Sequence, residues 1–174
     1  MNLVDFKSNS WADIGCSVGL FTRLAYKKGH YITGYDLNTT SLKIASFLNT
    51  NITYKNENFL EFQNEKFDVI SATSLLSVMP DKKIAFAKLV LLLKDKNSLL
   101  IIIEPTSKLT VQNVIKLCKG NIFNFYKYKA FFLWAKAREN KAMDINIIEN
   151  NKNLKYNHTY MYNDMIRISK ISLL

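Results

Sequence analysis

The residues whose types and spacing suggest chemistry lie near the start of the chain, around a turn that contains two glycines. Asp13 stands two residues before Gly15, Gly19 follows within the same turn, and a later apolar run ends at Asp36. A strand, a glycine turn, a helix, a second strand and a closing acid, in this order, are typical of the first half-unit of a nucleoside-binding α/β fold. Asp36 can then accept hydrogen bonds from ribose hydroxyls.

The position of Asp13 separates two classes of nucleoside ligand. A carboxylate just before the glycine turn would lie near the diphosphate of a dinucleotide, where like charges repel. S-adenosylmethionine carries no phosphate and presents an ammonium and a sulfonium group, so an acidic side chain is compatible with it. The pattern therefore indicates a site for this methyl donor.

The same stretch resembles a known family. The segments D-I-G-C-S-V-G, from Asp13, and G-Y-D-L-N, around Asp36, are similar to the first two motifs of class I S-adenosylmethionine-dependent methyltransferases of the small-molecule type. The family's first motif usually has a glycine where this chain has Ser17, and glycine lets the backbone approach a ligand closely. The resemblance implies that the cofactor-binding residues here are Asp13, Gly15, Cys16, Ser17, Gly19, Asp36 and Leu37.

Two later segments extend the resemblance. N-F-L-E-F, which begins with Asn58 and Phe59, resembles the family segment that holds adenine, and the Asn58 carbonyl oxygen can accept a hydrogen bond from the exocyclic amine. Residues 67–81 resemble the fourth strand and its following loop, where a backbone carbonyl near Ala72 would meet the methionine ammonium. The expected cofactor is S-adenosyl-L-methionine.

Apolar runs and helical stretches alternate along the chain. We expect helices at residues 38–48 and 82–94, strands at 52–55 and 99–103, and a final hairpin of 155–162 with 165–173. Such alternation predicts an α/β fold: a Rossmann-like, doubly wound, mostly parallel sheet with a C-terminal antiparallel hairpin, in a three-layer sandwich.

The composition fits one compact unit. The chain has 174 residues, 48% of them hydrophobic, and no stretch rich in Pro, Gly or Ser divides it. We expect a single methyltransferase domain over residues 1–174, with 106–153 as a helical, basic aromatic insert or lid. Its apolar runs are far shorter than the roughly 20 residues that span a bilayer, which favours a cytoplasmic location. Two cysteines without metal-ligand spacing predict neither a disulfide framework nor a metal site.

The net charge of +10 lies mainly in the C-terminal part, where 12 basic residues face 4 acidic ones after Pro105. Half of residues 121–134 are aromatic. Basic residues lie between these aromatic residues or shortly after them: Lys127, Lys129, Lys136, Arg138 and Lys141. This segment could stack bases and neutralise phosphate, or lie on an anionic membrane. Alternatively, Tyr128, Phe131, Phe132 and Ala135 fall at helical spacing and simply pack inward.

Residues that would contact the acceptor or move a proton are harder to assign. The loop after Thr73 and the aromatic stretch should overhang the carboxyl ends of the strands, so the candidate substrate contacts are Ser74, Ser77, Phe131 and Trp134. His158 is the candidate general base by residue type, although a lone histidine in a strand is typically structural. Methyl transfer does not always need a general base, because positioning of donor and acceptor can supply on the order of 7 to 11 kcal/mol of the barrier.

The leading hypothesis is methyl transfer from S-adenosylmethionine to a small-molecule acceptor. The N-P-P-Y tetrad of adenine-N6 enzymes and the P-C nucleophile of cytosine-C5 enzymes are absent. Relatives usually carry a helical cover before the first strand, where this chain has only Met1–Ser10, so either residues 121–143 or a partner subunit would cover an open site. The alternatives are a non-catalytic partner subunit of the same fold and an RNA methyltransferase that uses the basic aromatic segment.

Overall fold

A computed structural model of the chain describes residues 4, 6, 8, 10–118, 122–138 and 141–174, with residues 122–125 and 127 described by their backbone alone. Its strands are β1 (Trp11–Ile14), β2 (Ile32–Tyr35), β3 (Thr53–Lys55), β4 (Val69–Thr73), β5 (Leu99–Pro105), β6 (Leu154–Met161) and β7 (Ile166–Leu173). The helices are α1 (Leu20–Lys27), α2 (Thr39–Leu48), α3 (Lys82–Leu91), α4 (Val111–Leu117), α5 (Ile122–Arg138) and α6 (Asn146–Glu149). Short 3₁₀ turns cover Phe59–Glu61 and Leu76–Val78.

The seven strands form one sheet in the order β3-β2-β1-β4-β5-β7-β6. The first five strands of this order are mutually parallel, whereas β7 runs antiparallel to both β5 and β6. The predicted α/β fold, with its mostly parallel sheet and C-terminal hairpin, is confirmed. The chain builds outward from β1 to β3 and then returns to place β4 on the other side of β1. This reversal creates a crevice at the carboxyl ends of β1 and β4, where doubly wound folds bind ligands.

Local residue choices explain where the helices begin. The Asn38 side chain accepts a hydrogen bond from the Ser41 amide at 2.9 Å, and Asp81 accepts one from the Ile84 amide at 2.9 Å. Both are N-cap bonds of the kind that satisfies the first free amides of a helix. The sequence predicts the Asp81 cap and leaves the start of α2 open among Asn38, Thr39 and Thr40. Helix α3 ends at Leu91, three residues before the predicted end.

The sheet is covered on both faces. All four residues of β1 are buried, and β4 and β5 are almost entirely so, as expected for parallel strands between helical layers. One face packs against α3 and α6, and the other packs against α1. A separate apolar cluster joins α4 to α5. Of the predicted lid at 121–143, Asn121 and residues 139–140 lie outside the described residues, and no described helix is long and apolar enough to cross a membrane.

Candidate functional site

A cavity of about 390 Å³ lies at the crevice between the carboxyl ends of β1 and β4. This volume falls within the range of small-molecule sites. Seven residues singled out from the sequence line it: Gly15, Ser17, Asp36, Leu37, Asn58, Phe59 and Ser74. The structure therefore brings together, from three separate segments, most of the residues expected to contact the cofactor, and it adds Ser74 from the expected substrate contacts.

The turn after β1 keeps its shape although it contains a serine. Gly15, Ser17 and Gly19 have φ values of 71°, 50° and 69°, so every second residue is left-handed. Ser17 thus adopts the conformation that the family's usual glycine would adopt, at a cost of about 1 to 2 kcal/mol for a residue with a Cβ. Its amide donates to Asp36 Oδ2 at 2.8 Å, which ties the turn to the end of β2.

Asp36 is the acidic residue at the centre of this arrangement. Its Oδ2 accepts from the Ser17 amide, and its Oδ1 accepts from the Asn38 amide at 2.8 Å. A carboxylate has about four acceptor positions, so two remain for ligand hydroxyl groups. Asp36 lines the cavity with this side chain already held in place.

Asn58 and Phe59 form another wall of the cavity. The Asn58 carbonyl oxygen accepts from the Leu60 amide at 3.2 Å, and its amide nitrogen donates to Glu61 Oε1 at 2.9 Å. The side chain therefore caps the first 3₁₀ turn, and one lone pair of its oxygen is left for a ligand donor. These bonds fix the orientation of the amide group.

Four expected cofactor residues do not line the cavity: Asp13, Cys16, Gly19 and Ala72. Asp13 is 1% exposed and lies beneath the turn, where it accepts from Thr22 Oγ1 at 2.6 Å and Ser71 Oγ at 2.7 Å. Burial raises its pKa to about 6, against the opposing effect of these two hydroxyls. Asp13 therefore links β1 to α1 and β4. Cys16 is also buried, and burial raises the pKa of its thiol.

Two side chains of helix α5 donate hydrogen bonds to one serine in the cavity wall. Ser74 Oγ accepts from Arg138 Nε at 2.8 Å and from Trp134 Nε1 at 3.0 Å. Arg138 lines the cavity and is the one basic side chain among its described lining residues. From the sequence, Arg138 is one of the basic residues near the aromatic stretch, with no role in the cofactor site. Its position one helical turn after Trp134 is the signal that could have placed the two side chains together.

The other expected substrate contacts lie outside this cavity. Ser77 is 4% exposed, and its hydroxyl donates to the Ser74 carbonyl at 3.1 Å. The Phe131 ring packs against Trp134 at 5.9 Å and Tyr162 at 5.1 Å between ring centres. The aromatic face of α5 is therefore packed against the hairpin turn and α4, while Lys129 and Lys136 are exposed. The side chain of Lys127 lies outside the described part of the chain.

Glu104 supports the cavity from behind. It is fully buried at the end of β5, and its carboxylate accepts from the Leu76 amide at 2.7 Å and the Ser77 amide at 3.3 Å. Burial raises the pKa of Glu104 to about 7. Glu104 thereby holds the second 3₁₀ turn, whose last residue, Val78, lines the cavity together with Met79.

His158 does not reach the cavity. Its Nδ1 lies 2.9 Å from Ser169 Oγ on β7, and its Nε2 lies 3.7 Å from Glu149 Oε1 of α6. Burial lowers its pKa, and the nearby Arg167 adds to this effect. In this position His158 joins the hairpin to α6.

Comparison with known proteins assigns the family. Residues 2–157 match the family model described as Methyltransferase domain. The chain belongs to this family. It is a methyltransferase domain of the kind that uses S-adenosylmethionine as methyl donor. Among curated protein sequences, no significant match was found.

Several solved methyltransferases have the same fold. The plantazolicin methyltransferase BpumL in complex with SAH is 11% identical, with a TM-score of 0.71 over 96% of this chain and 77% of that one. The N-methyltransferase NodS from Bradyrhizobium japonicum WM9 is 14% identical, with a TM-score of 0.62 over 96% and 86%. Magnesium protoporphyrin IX methyltransferase (ChlM) from Synechocystis PCC 6803, with bound SAM, is 13% identical, with a TM-score of 0.64 over 98% and 72%. At these identities the likeness establishes the fold.

Proposed function

We propose that this domain transfers a methyl group from S-adenosylmethionine to a small-molecule acceptor. The observation that carries the proposal is the cavity at the β1/β4 crevice, with Asp36 held at the end of β2 by two backbone amides. S-adenosylmethionine supplies a methyl group on a sulfonium, which is transferred by in-line displacement. Positioning of donor and acceptor is then the main task of the protein.

The lining residues fit the parts of this donor. Asp36 would accept hydrogen bonds from the ribose hydroxyls, and Asn58 and Phe59 would bind the adenine. The backbone near Ala72 would accept from the ammonium, and Arg138 would pair with the carboxylate. Three buried residues would act indirectly, by shaping the turn that carries Gly15 and Ser17: Asp13, Cys16 and Gly19. This turn lies beside Leu37 in the lining of the cavity.

Two observations favour a small acceptor. Arg138 faces the cavity, so it does not join Lys129 and Lys136 on one exposed surface for phosphate groups. Among the structural relatives, BpumL and BamL were solved with desmethylPZN analogs, and NodS is an N-methyltransferase. The aromatic residues of α5, Phe131 and Trp134, would belong to a cover over the site. Ser74 and its neighbour Ser77 would attach that cover to the cavity wall.

A label-transfer assay tests this function. The chain is incubated with methyl-labelled S-adenosylmethionine and, separately, with the ultrafiltrate and the total RNA of a cell extract. We expect label in ultrafiltrate compounds, loss of transfer in Asp36→Ala, and retention in Glu65→Ala, which alters an exposed acid outside the cavity. Label in RNA would instead favour the RNA methyltransferase. No transfer to either fraction, despite donor binding, would favour the non-catalytic subunit.

A further inference from the structure

A second cavity, of about 610 Å³, lies at the same edge of the sheet beyond β5. Its walls come from the segment after β5, from residues 142–145 before α6, from the hairpin turn and from Arg167 at the start of β7. We propose that this cavity binds the acceptor by its carboxylate, with Arg167 as the anchoring cation and an apolar body beside it. The inference rests on the proposed function, because it names the acceptor class of the same enzyme.

Arg167 is a buried cation with unused hydrogen-bonding capacity. The residue is 5% exposed, and its Nε has no hydrogen-bond partner among the described residues. Its Nη2 donates to the Met143 carbonyl at a long distance of 3.4 Å. Burying a guanidinium is costly unless its N–H groups are paired. A carboxylate matches the planar fork of arginine with two parallel hydrogen bonds and would supply the missing partners.

The protein's own acids do not fill this role. Glu104 is the register neighbour of Arg167 across β5 and β7, and the charge of Arg167 acts to lower its pKa. Its oxygens accept from the Leu76 and Ser77 amides, however, so Glu104 does not supply the paired hydrogen bonds that the guanidinium can make. Asp164 pairs with Lys108 at 2.8 Å, and Asp144 Oδ1 accepts from the Asn146 amide. Lys108 is thereby compensated. Among the described lining residues, Arg167 is the cation left for an incoming anion.

The remaining walls suit an apolar body. Met143 is buried, and Ala142, Ile145 and Tyr160 complete the lining beside it. Small-molecule sites typically combine such apolar walls with a few polar groups that fix orientation. A compact carboxylate with an aromatic or aliphatic body therefore fits better than a bare inorganic anion.

The two cavities are neighbours. Arg138, at the end of α5, lines the first cavity, and Ala142, four positions later, lines the second. Glu104 holds the 3₁₀ turn at the wall of the first cavity, and its register neighbour Arg167 lines the second. An acceptor anchored at Arg167 would thus lie beside the cavity proposed for the donor.

The test uses benzoate as the carboxylate probe, benzyl alcohol as its uncharged counterpart and inorganic phosphate as the bare anion. Binding to the intact chain is followed by calorimetry or by NMR shifts. We expect benzoate to bind about tenfold or more tightly than either other probe, and Arg167→Gln to weaken it by about tenfold or more. Lys94→Gln, which removes an exposed cation that is already paired with Asp68 and lies outside both cavities, should change affinity by less than about threefold.

Titration of the same proteins with S-adenosylhomocysteine separates the two claims. Arg167 does not line the first cavity, so Arg167→Gln should bind this nucleoside as the wild type does. Failure of the wild type to bind it would count against the proposed function and not against the carboxylate site. Equal benzoate affinity in wild type and Arg167→Gln, or equal binding of benzoate and benzyl alcohol, would overturn the inference.

Two further variants keep the test decisive if Arg167→Gln does not fold. Arg167→Lys retains the charge but loses the bidentate geometry, so we expect weaker benzoate binding in a folded protein. Ala142→Trp places a large side chain in the second cavity and should abolish benzoate binding while donor binding persists. Unchanged benzoate affinity in folded Ala142→Trp would also overturn the inference.

Discussion

At the residue scale, Asp36 performs a structural task with the same carboxylate that we propose binds the cofactor. It accepts from the amides of Ser17 and Asn38, so it fixes both the glycine turn and the start of α2. The lone pairs that remain point to its use by the cofactor, because ribose hydroxyls need acceptors of this kind.

Replacement of Asp36 should therefore weaken donor binding. For Asp36→Ala we expect a loss of roughly 1.5 to 3 kcal/mol in the binding of S-adenosylhomocysteine, the usual contribution of hydrogen bonds to a charged group. Calorimetric titration measures the change, with Glu65→Ala as the control. An affinity equal to that of the wild type would remove Asp36 from the site.

The glycine turn makes a second prediction at this scale. A Cβ on Gly19 would lie 2.5 Å from the Tyr54 hydroxyl oxygen, whereas one on Gly29 would meet nothing within 4 Å. Both residues have positive φ, of 69° and 87°, so an alanine at either position is strained. We expect Gly19→Ala to reduce the free energy of unfolding by about 1 to 3 kcal/mol more than Gly29→Ala, since the Tyr54 ring must move. Urea denaturation of the two variants would refute this if their midpoints coincide.

At the scale of elements, α5 depends on the loop after β4. Ser74 Oγ accepts from both Trp134 and Arg138, and Ser74 itself has a left-handed backbone, with φ of 55°. One hydroxyl thus attaches the C-terminal half of the helix to the cavity wall. Apolar side chains of α5, Phe131 among them, also pack toward α4 and the hairpin turn.

Loss of this hydroxyl should loosen α5. In Ser74→Ala two donors lose their acceptor, which typically costs about 1 to 3 kcal/mol when the groups stay out of water. We expect amide hydrogen exchange in the second half of α5 to accelerate by about tenfold or more, while β1 and β4 keep their protection. Ser77→Ala is the matched control, because it removes a neighbouring hydroxyl and leaves the acceptor for α5 in place. Equal exchange in both variants would contradict this role of Ser74.

Glu104 makes the stability of β5 and the adjoining 3₁₀ turn depend on pH. Burial raises its pKa to about 7, so the folded protein keeps a proton that the unfolded chain has already released. The free energy of unfolding should then fall as pH rises between about 5 and 7, because the native state alone binds this proton. Glu104→Gln cannot titrate and should show a shallower fall in urea denaturation across that range. Parallel pH profiles for the two proteins would show that Glu104 does not titrate in this way.

At the scale of the whole molecule, the sequence predicts the fold more completely than the site. Alternation of strands and helices, the Asp81 cap and the final hairpin are all local patterns, and the structure confirms them. The structure also selects Asn38 from the three possible starts of α2. The contacts of Ser74 with Trp134 and Arg138 join residues 60 and 64 positions apart. No local periodicity encodes such contacts.

The sequence also does not predict which charged side chains are buried. Arg167 falls on the polar side of the alternation in β7 and Glu104 follows the apolar run of β5, yet both are buried, and only the register of β5 with β7 brings them together. Asp13 is similar, because its two hydroxyl partners come from α1 and β4. Polar groups of this kind are specified by tertiary contacts, so a single sequence indicates their presence and not their role.

The central claim is that the β1/β4 cavity binds the nucleoside of the methyl donor, and calorimetric titration of the intact chain with S-adenosylhomocysteine tests it most directly. We predict saturable binding at one site per chain, with a dissociation constant well below about 1 mM. NAD should not compete, because the Ser17 amide of the glycine turn already donates to Asp36 and is not free for a diphosphate. Binding of NAD, with neither S-adenosylmethionine nor S-adenosylhomocysteine bound at millimolar concentration, would contradict the account.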